Sequence, residues 1–313
     1  MGRWMNVTIL LATYQGELYL KEQLESILSQ TYKNWTLLIS DDGSSDNTLT
    51  IIEQFKHRCT QTVDVISGPS QGPTKNFFNL INNASTEKGA LYAYCDQDDV
   101  WYPNKLSRAV GHYEALPNLL PSQAYLYCGR TQVVNHTLAH LGFGSVPRKP
   151  LGFGNALLQN VAGGNTMLFN SSVLKTLQKI NPQYSVLHDW TTYQVATGIG
   201  GIVYFDYQPT VAYRQHENNV VGAVIGWFTL FEKLKSTHSG QHREWAKQTL
   251  KTMSGISECL SPQSRKILAS YDQTVHHPNW ERRIEPFIRK KIWHQKFAGL
   301  IVYFFIALFC KDK

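Results

Sequence analysis

The densest cluster of chemically competent side chains in this 313-residue sequence is CDQDDVWYPNK, Cys95 to Lys105. Three carboxylates, Asp96, Asp98 and Asp99, follow directly on the apolar run Ala90 to Cys95. Carboxylates this close repel one another, and a hard divalent cation is the natural compensating charge. Mg²⁺ or Mn²⁺ uses few protein carboxylates and completes its shell with phosphate oxygens and water. The plain alternative is a solvated acidic turn. The position at a strand end, followed by Trp-x-Pro-x-Lys, weighs against it.

The elements that must position this cluster alternate in type. Asn6 to Ala12, Trp35 to Ser40, Val63 to Ile66 and Ala90 to Cys95 read as short buried strands. Between them, Glu17 to Gln30, Asp46 to His57 and Thr74 to Asn83 read as helices. Leu20, Leu24, Ile27 and Leu28 recur at helical spacing in the first; Leu49, Ile52 and Phe55 share a face of the second. A β-α-β-α-β-α-β order implies a parallel sheet with helices on its faces. Ligands of such sheets bind at the carboxyl ends of the strands. Three strand ends carry polar residues, Thr13 to Glu17, Asp41 to Asp46 and Asp96 to Asp99, and these are expected to converge on one crevice. Downstream, Ala124 to Cys128, Val161 to Phe169, Ile202 to Tyr204 and Thr210 to Tyr213 read as further strands. Gly142 to Gly164 reads as loops, and the chain from Trp227 onward as helical.

These motifs, in this order, resemble the family 2 glycosyltransferases. ATYQGELYLKEQLESILSQTYKNW (Ala12 to Trp35) resembles the family's first strand-loop-helix. LLISDDGSSDNT (Leu37 to Thr48) resembles its second nucleotide-binding loop. CDQDDVW resembles its D-x-D element, and HDW (His188 to Trp190) the element carrying the catalytic carboxylate. The resemblance covers about Asn6 to Gly222. It implies an α/β GT-A fold, a Rossmann-like, mostly parallel sheet flanked by helices, with a helical C-terminal extension. Residues 1–222 would form the catalytic domain, with a nucleotide-binding half (1–100) and an acceptor half (101–222). Residues 223–313 would form the helical region.

The resemblance also implies roles. Thr13 and Tyr14 would sit beside the base, and Glu17 would belong to the same donor-binding loop. Asp41 would accept the imide N–H of a uracil or thymine ring, with Asp42 sharing or exchanging that role; the alternative for Asp41 is turn formation. Ser44 to Asn47 are expected to cap the following helix. Lys75 and Asn76 fall where the family contacts base and phosphates, although Lys75 reads equally well as a solvated lysine. Asp96 would lie toward the ribose with Gln97 beside it, Asp98 would bind the metal, and Asp99 would be a further ligand or a support. His216 in YRQHENN would be a third kind of ligand, acceptable to Mn²⁺ and less so to Mg²⁺, or else a loop-ordering histidine.

Asp189 is the candidate general base of an inverting transfer, taking the proton from the acceptor hydroxyl as it attacks the anomeric carbon. His188 would tune or orient it. Trp190 would pack beneath sugar or acceptor, and Trp101, Gly164 and Asn165 would line the same pocket. The DQDDVW and HDW forms look most like bacterial rhamnosyltransferase-type members, which implies dTDP-rhamnose as donor, with a UDP-hexose as the alternative. The acceptor would be a glycan or lipid-linked glycan of a bacterial surface polysaccharide.

Composition is that of an ordinary globular protein, 42% hydrophobic and 17% charged, with a formal net charge of +7. Arg282, Arg283, Arg289, Lys290, Lys291 and Lys296 concentrate that charge near the C-terminus, so it does not argue for a nucleic-acid partner. Ile284, Phe287, Ile288 and Ile292 recur among them at helical spacing, and Phe297 to Cys310 follows without a charge. That pattern predicts a basic amphipathic anchor on an anionic membrane surface, or a helix packed on the body. Five scattered cysteines without C-x-x-C spacing argue against a disulfide framework or a thiolate zinc site. The expected location is cytoplasmic, peripheral on the inner face of the membrane. A sugar nucleotidyltransferase, the rival of a different class, would show a glycine-rich basic loop where this chain has TYQGE.

Overall fold

The computed structural model describes residues 5–87, 90–116, 120, 122–216, 241–289, 291–297, 299 and 300. Four strands alternate with three helices in the first part: β1 (Val7–Thr13), α1 (Leu20–Leu28), β2 (Trp35–Asp41), α2 (Thr48–Arg58), β3 (Val63–Ser67), α3 (Pro73–Asn83) and β4 (Leu91–Cys95). β1 pairs in parallel with both β2 and β4, and β2 with β3. β1 and β4 are almost wholly buried because both faces are covered, while the edge strand β3 keeps Asp64, Val65 and Ser67 exposed. Val7, Ile9 and Leu11 join α1 and α2 in one core; Leu10 and Ala12 join α3 in another. β4 splits likewise, with Leu91, Ala93 and Cys95 on one side and Tyr92 and Tyr94 on the other.

The second part is less regular. It contains β5 (Val100–Trp101), α4 (Lys105–Glu114), β6 (Tyr125–Gly129), β7 (Gln132–Val134), β8 (His140–Phe143), α5 (Phe153–Ala156), β9 (Leu168–Asn170), α6 (Ser171–Leu177), α7 (His188–Gly198), β10 (Ile202–Asp206) and β11 (Val211–Arg214). The main sheet runs β10-β6-β9-β4-β1-β2-β3, and a smaller one runs β5-β11-β7-β8. β9 is antiparallel to both neighbours, while β10 and β6 are parallel. The strand expected over Val161 to Phe169 is confined to Leu168–Asn170. Gly163 precedes a single 3-10 turn, Gly164–Thr166, whose Asn165 side chain is drawn away to Asp99.

The C-terminal helices α8 (Gln241–Gly255), α9 (Pro262–His276) and α10 (Trp280–Ile288) do not build a core of their own. Leu250, Met253, Tyr271, Ile284, Phe287 and Ile292 join the same apolar cluster as α3, α6 and α7. The expected domain boundary at 222/223 and the start of the helical reading at Trp227 lie outside the described residues. The apolar face expected to meet a membrane is instead largely occupied by the chain itself. Trp293 Nε1 donates to the Pro150 carbonyl at 3.1 Å, and the Gln295 side chain accepts from the amides of Arg148 and Lys149 at 2.9 and 2.7 Å. Ile288 and Phe297 stay exposed, at 68% and 74%. Most of Phe297 to Cys310 lies outside the described residues. Among the described residues no helix is long and apolar enough to cross a membrane. Cys59, Cys95, Cys128 and Cys259 are unpaired thiols.

Candidate active site

The strand ends of β1, β2 and β4 open onto one cavity of about 1080 Å³, closed on its other sides by the β7–β8 region, the Asn160–Asn165 segment and the start of α7. Thr13, Tyr14, Asp42, Asn76, Asp96, Gln97, Asp98, Gly164, Asn165, His188, Asp189 and His216 all line it. Residues separated by two hundred positions meet because parallel strands present the same ends to one side.

The Gln97 side chain clasps the Tyr14 backbone, accepting its N–H and donating to its carbonyl, both at 2.8 Å. The aromatic ring of Tyr14 is 55% exposed at the cavity, where a base can stack on it. The β2 loop is tied by carboxylates. Asp41 accepts from Thr13 Oγ1 at 2.8 Å, Ser44 Oγ at 2.7 Å, and the amides of Ser44 and Gly43 at 2.8 and 3.2 Å. A carboxylate has about four acceptor sites, so Asp41 is saturated by its own turn. Gly43 allows that turn with φ +95°. Asp41 is not among the residues lining the cavity, whereas its neighbour Asp42 is. Asp42 accepts the amides of Ser70 and Gly72 at 2.6 and 2.8 Å and still lines the cavity. Asn76 donates to the Ser40 carbonyl at 2.8 Å, while its buried Oδ1 has no protein partner.

Four further expectations are corrected. Glu17 is not among the cavity-lining residues and accepts from Asn47 N and Nδ2, tying the first loop to the start of α2. Of Ser44 to Asn47, expected to cap α2, Asp46 takes the Thr48 amide on its Oδ1 at 3.0 Å, while Asn47 at the cap position makes no side-chain capping bond. Lys75 does not line the cavity, although its neighbours Thr74 and Asn76 do. Trp101 is 1% exposed and carries the buried Lys105 Nζ 4.4 Å from its ring centre. Trp190 is buried, donates Nε1 to the Ala156 carbonyl at 2.6 Å and packs edge-on against Trp245. Both tryptophans are core residues, because the apolar interior recruits large rings more strongly than a wet pocket does.

The β4 loop divides its carboxylates. Asp99 is fully buried and held by the Arg214 amide at 3.1 Å and by Asn165 Nδ2. Asn165 is thus a support of the acidic loop, although it borders the cavity. Asp98 Oδ2 lies 2.7 Å from His216 Nε2, at the cavity wall. Burial, and then the charges of Asp98 and Asp189, hold the Asp96 carboxyl well above the usual carboxylate range. Among the described residues no group of three or more His, Cys, Asp or Glu is arranged to hold an ion. The Asp98–His216 pair offers one carboxylate and one imidazole, a donor set suited to Mn²⁺ that leaves the remaining positions to diphosphate oxygens and water.

Asp189 stands in the first turn of α7. Its Oδ1 accepts the Trp190 amide at 2.6 Å, its Oδ2 the Gly164 amide at 3.1 Å, and Asn160 donates to it as well. Burial nonetheless pushes its pKa up to about 6 against those bonds, which brings it toward the range of a working general base. His188 stacks on Phe77 with ring centroids 3.7 Å apart and meets Tyr94 edge-on; burial brings its pKa down to about 3, so the ring is neutral. It makes no hydrogen bond to Asp189; the expected orienting role falls to Gly164 and Asn160. A Cβ on Gly164 would stand 2.7 Å from His188 Nε2 and 3.2 Å from Asp189 Cβ, so the turn requires glycine there.

Comparisons with known proteins give the family. The family profile described as glycosyl transferase family 2 matches residues 8–177. The chain belongs to this family. A relative, the dTDP-rhamnosyl transferase RfbG of Shigella flexneri, is 31% identical over 75% of this chain and 81% of its own. The glucosyltransferase WfgD of Escherichia coli, named for transfer from UDP-Glc to a GlcNAc-diphosphoundecaprenol, is 30% identical over 36% of this chain and 47% of its own. Residues 1–349 of S. aureus TarS, solved with UDP-GlcNAc, share the fold with a TM-score of 0.55 at 14% identity, covering 92% of this chain and 93% of that one. The family 2 chain is therefore a glycosyltransferase with a GT-A-type fold, which sets aside the nucleotidyltransferase reading.

Several residues of the site were not legible in advance. Tyr19, Thr131, Ser145, Asn160 and Leu187 line the cavity from loops without a recognisable motif. Arg214 lies two residues before His216 in the YRQH string, which was the available signal, but its partners come from three other segments, at Glu22, Asp98–Asp99 and His136.

Proposed function

We propose that this chain is an inverting, divalent-metal-dependent glycosyltransferase that moves rhamnose from dTDP-rhamnose to a glycan or lipid-linked acceptor of a bacterial surface polysaccharide. The observation that carries the reading is the convergence of Asp42, Asp98, His216 and Asp189 on one cavity. Tyr14 and Asp42 bind the pyrimidine base, with Asp42 accepting the imide N–H that uracil and thymine share. Asp98 and His216 hold Mg²⁺ or Mn²⁺ against the diphosphate; when bound, the cation stabilises the charge that grows on the leaving phosphate. Asp189, ionised and oriented by Gly164 and Asn160, takes the proton of the acceptor hydroxyl. The acceptor oxygen bonds to the anomeric carbon as the bond from that carbon to the diphosphate breaks. The nucleoside diphosphate leaves on the opposite side, and no covalent intermediate forms.

The rhamnose assignment is supported by the name of the Shigella relative, and the alternative of a UDP-hexose by that of the Escherichia one. The Lys and Arg residues around exposed Ile288 and Phe297, together with the segment beyond 300, would place the enzyme against an anionic membrane where a lipid-linked acceptor resides. The test is a panel of nucleotide-sugars with Mn²⁺, read by nucleoside diphosphate release. dTDP-rhamnose is expected to be the best donor; faster turnover of a UDP-hexose would replace it, and turnover of GDP- or CDP-sugars alone would overturn the base assignment. Flotation with anionic vesicles tests the membrane contact separately.

A further inference from the structure

His216 lies two residues beyond β11, with its Nε2 2.7 Å from Asp98 Oδ2. A further contact to the ring comes from the start of the fold. Tyr19, just before α1, stacks on the His216 imidazole with centroids 5.1 Å apart and planes 28° from parallel. The guanidinium carbon of Arg214 stands 4.4 Å from the centre of the same Tyr19 ring. Arg214 is 1% exposed and anchored in every direction. Its Nε donates to the Asp98 carbonyl at 2.8 Å, one Nη to the His136 carbonyl at 2.5 Å, the other to the carboxylate of Glu22 in α1, and its amide to Asp99 at 3.1 Å. One buried cation thus touches the backbone of one member of the Asp98–His216 pair and the aromatic ring that supports the other.

We infer that Tyr19 and Arg214 are positioning residues that set the Asp98–His216 pair for the cation, so that the loop between β1 and α1 contributes to metal affinity as well as to nucleotide binding. The inference rests on the proposed role of that pair. Stacking on Tyr19 narrows the orientations open to the imidazole, and that ordering removes part of the entropic cost of ion binding. Arg214 sets the other side: with its planar fork it reaches the Asp98 carbonyl, the His136 carbonyl and Glu22 at once, which a lysine cannot do.

The experiment is calorimetric titration of Mn²⁺ into the full chain saturated with dTDP, with thermal unfolding of each variant as the control. Tyr19→Leu and Arg214→Lys are each expected to raise the Mn²⁺ dissociation constant about tenfold or more, the scale on which outer supports tune metal sites. Tyr19→Phe keeps the ring and is expected to stay within about twofold of the parent. Because Tyr19 also lines the cavity, any loss of dTDP affinity in Tyr19→Leu is measured without Mn²⁺ and should be smaller than its loss of Mn²⁺ affinity. In the His216→Ala background, Tyr19→Leu should cost little more, because the ring it orders is gone. If His216→Ala itself leaves Mn²⁺ binding intact, the metal pair is wrong. If His216→Ala loses it while folded Tyr19→Leu does not, the pair stands and the positioning inference falls. Tyr19→Phe losing as much as Tyr19→Leu would also overturn it. Should the leucine variant unfold, Tyr19→Gln, polar at this half-exposed position, is read by the same criteria.

Discussion

Two acidic loops, one after β2 and one after β4, look alike in sequence and behave in opposite ways. After β2, Asp41 and Asp42 receive six hydrogen bonds from nearby hydroxyls and amides. After β4, Asp96 and Asp99 are held well above the usual carboxylate range by burial and then by neighbouring carboxylates, Asp98 first, and Asp98 faces a histidine. A carboxylate surrounded by backbone N–H groups is a turn builder; one left to face other carboxylates calls for a cation. The contrast lies in the donors around each loop. Gly43, Ser44 and Ser70 supply them after β2, whereas the β4 loop spends its neighbours' donors on Asp99 alone.

The largest expected effect breaks the β4 loop. Asp98→Ala should lower transfer on the order of 10³-fold or more, the loss of several kcal/mol of charge stabilisation at the leaving group. It should also abolish the Mn²⁺-dependent part of dTDP affinity, measured by calorimetry with and without metal. Unchanged metal dependence would make this loop another structural turn. Next, Asp189→Asn should reduce kcat by about 10²-fold or more while donor affinity stays near the parent value. The wild-type kcat should be flat above pH 6 and fall tenfold per unit below it, because burial places the Asp189 pKa at about 6 and the base works only when ionised. His188 beside it stays neutral through this range, and the Asp189 charge is one of those that hold the Asp96 carboxyl up. The asparagine variant should lose that acid limb; a retained limb would assign it to another group.

The β2 loop yields a smaller and differently shaped effect. Asp42→Asn should weaken dTDP and UDP by about tenfold, the scale of one charge-assisted hydrogen bond, and narrow their advantage over CDP in competition assays. Asp41→Asn should instead cost about 1–3 kcal/mol of stability by setting an amide group against the Gly43 and Ser44 N–H donors, with the order of nucleotide preference retained. The reverse pattern would return base reading to Asp41. The smallest effect is at Lys75, outside the cavity: Lys75→Ala should leave donor affinity within about twofold, the ordinary outcome for a residue that touches no ligand.

The alternation of strands and helices over residues 5–95, the convergence of three strand ends, and the family were all legible in the sequence. They depend on local patterns: apolar runs for strands covered on both faces, helical spacing for amphipathic helices, and short strings of Asp, Gly and Ser at strand ends. The tertiary structure decided what each of those polar residues does. Asp41 and Asp42 are adjacent and chemically identical, and only the placement of Ser44, Ser70 and Gly72 saturates the first and leaves the second at the cavity. Trp101 and Trp190 carry no local sign of being buried, and Ile284, Phe287 and Ile292 spell the same amphipathic stripe whether a membrane or the protein's own core receives it. Tyr19 and Arg214 are separated by almost the whole sheet in sequence, yet they meet beside His216. Local sequence sets which groups are presented at each strand end; which partner satisfies them depends on segments brought together only by folding.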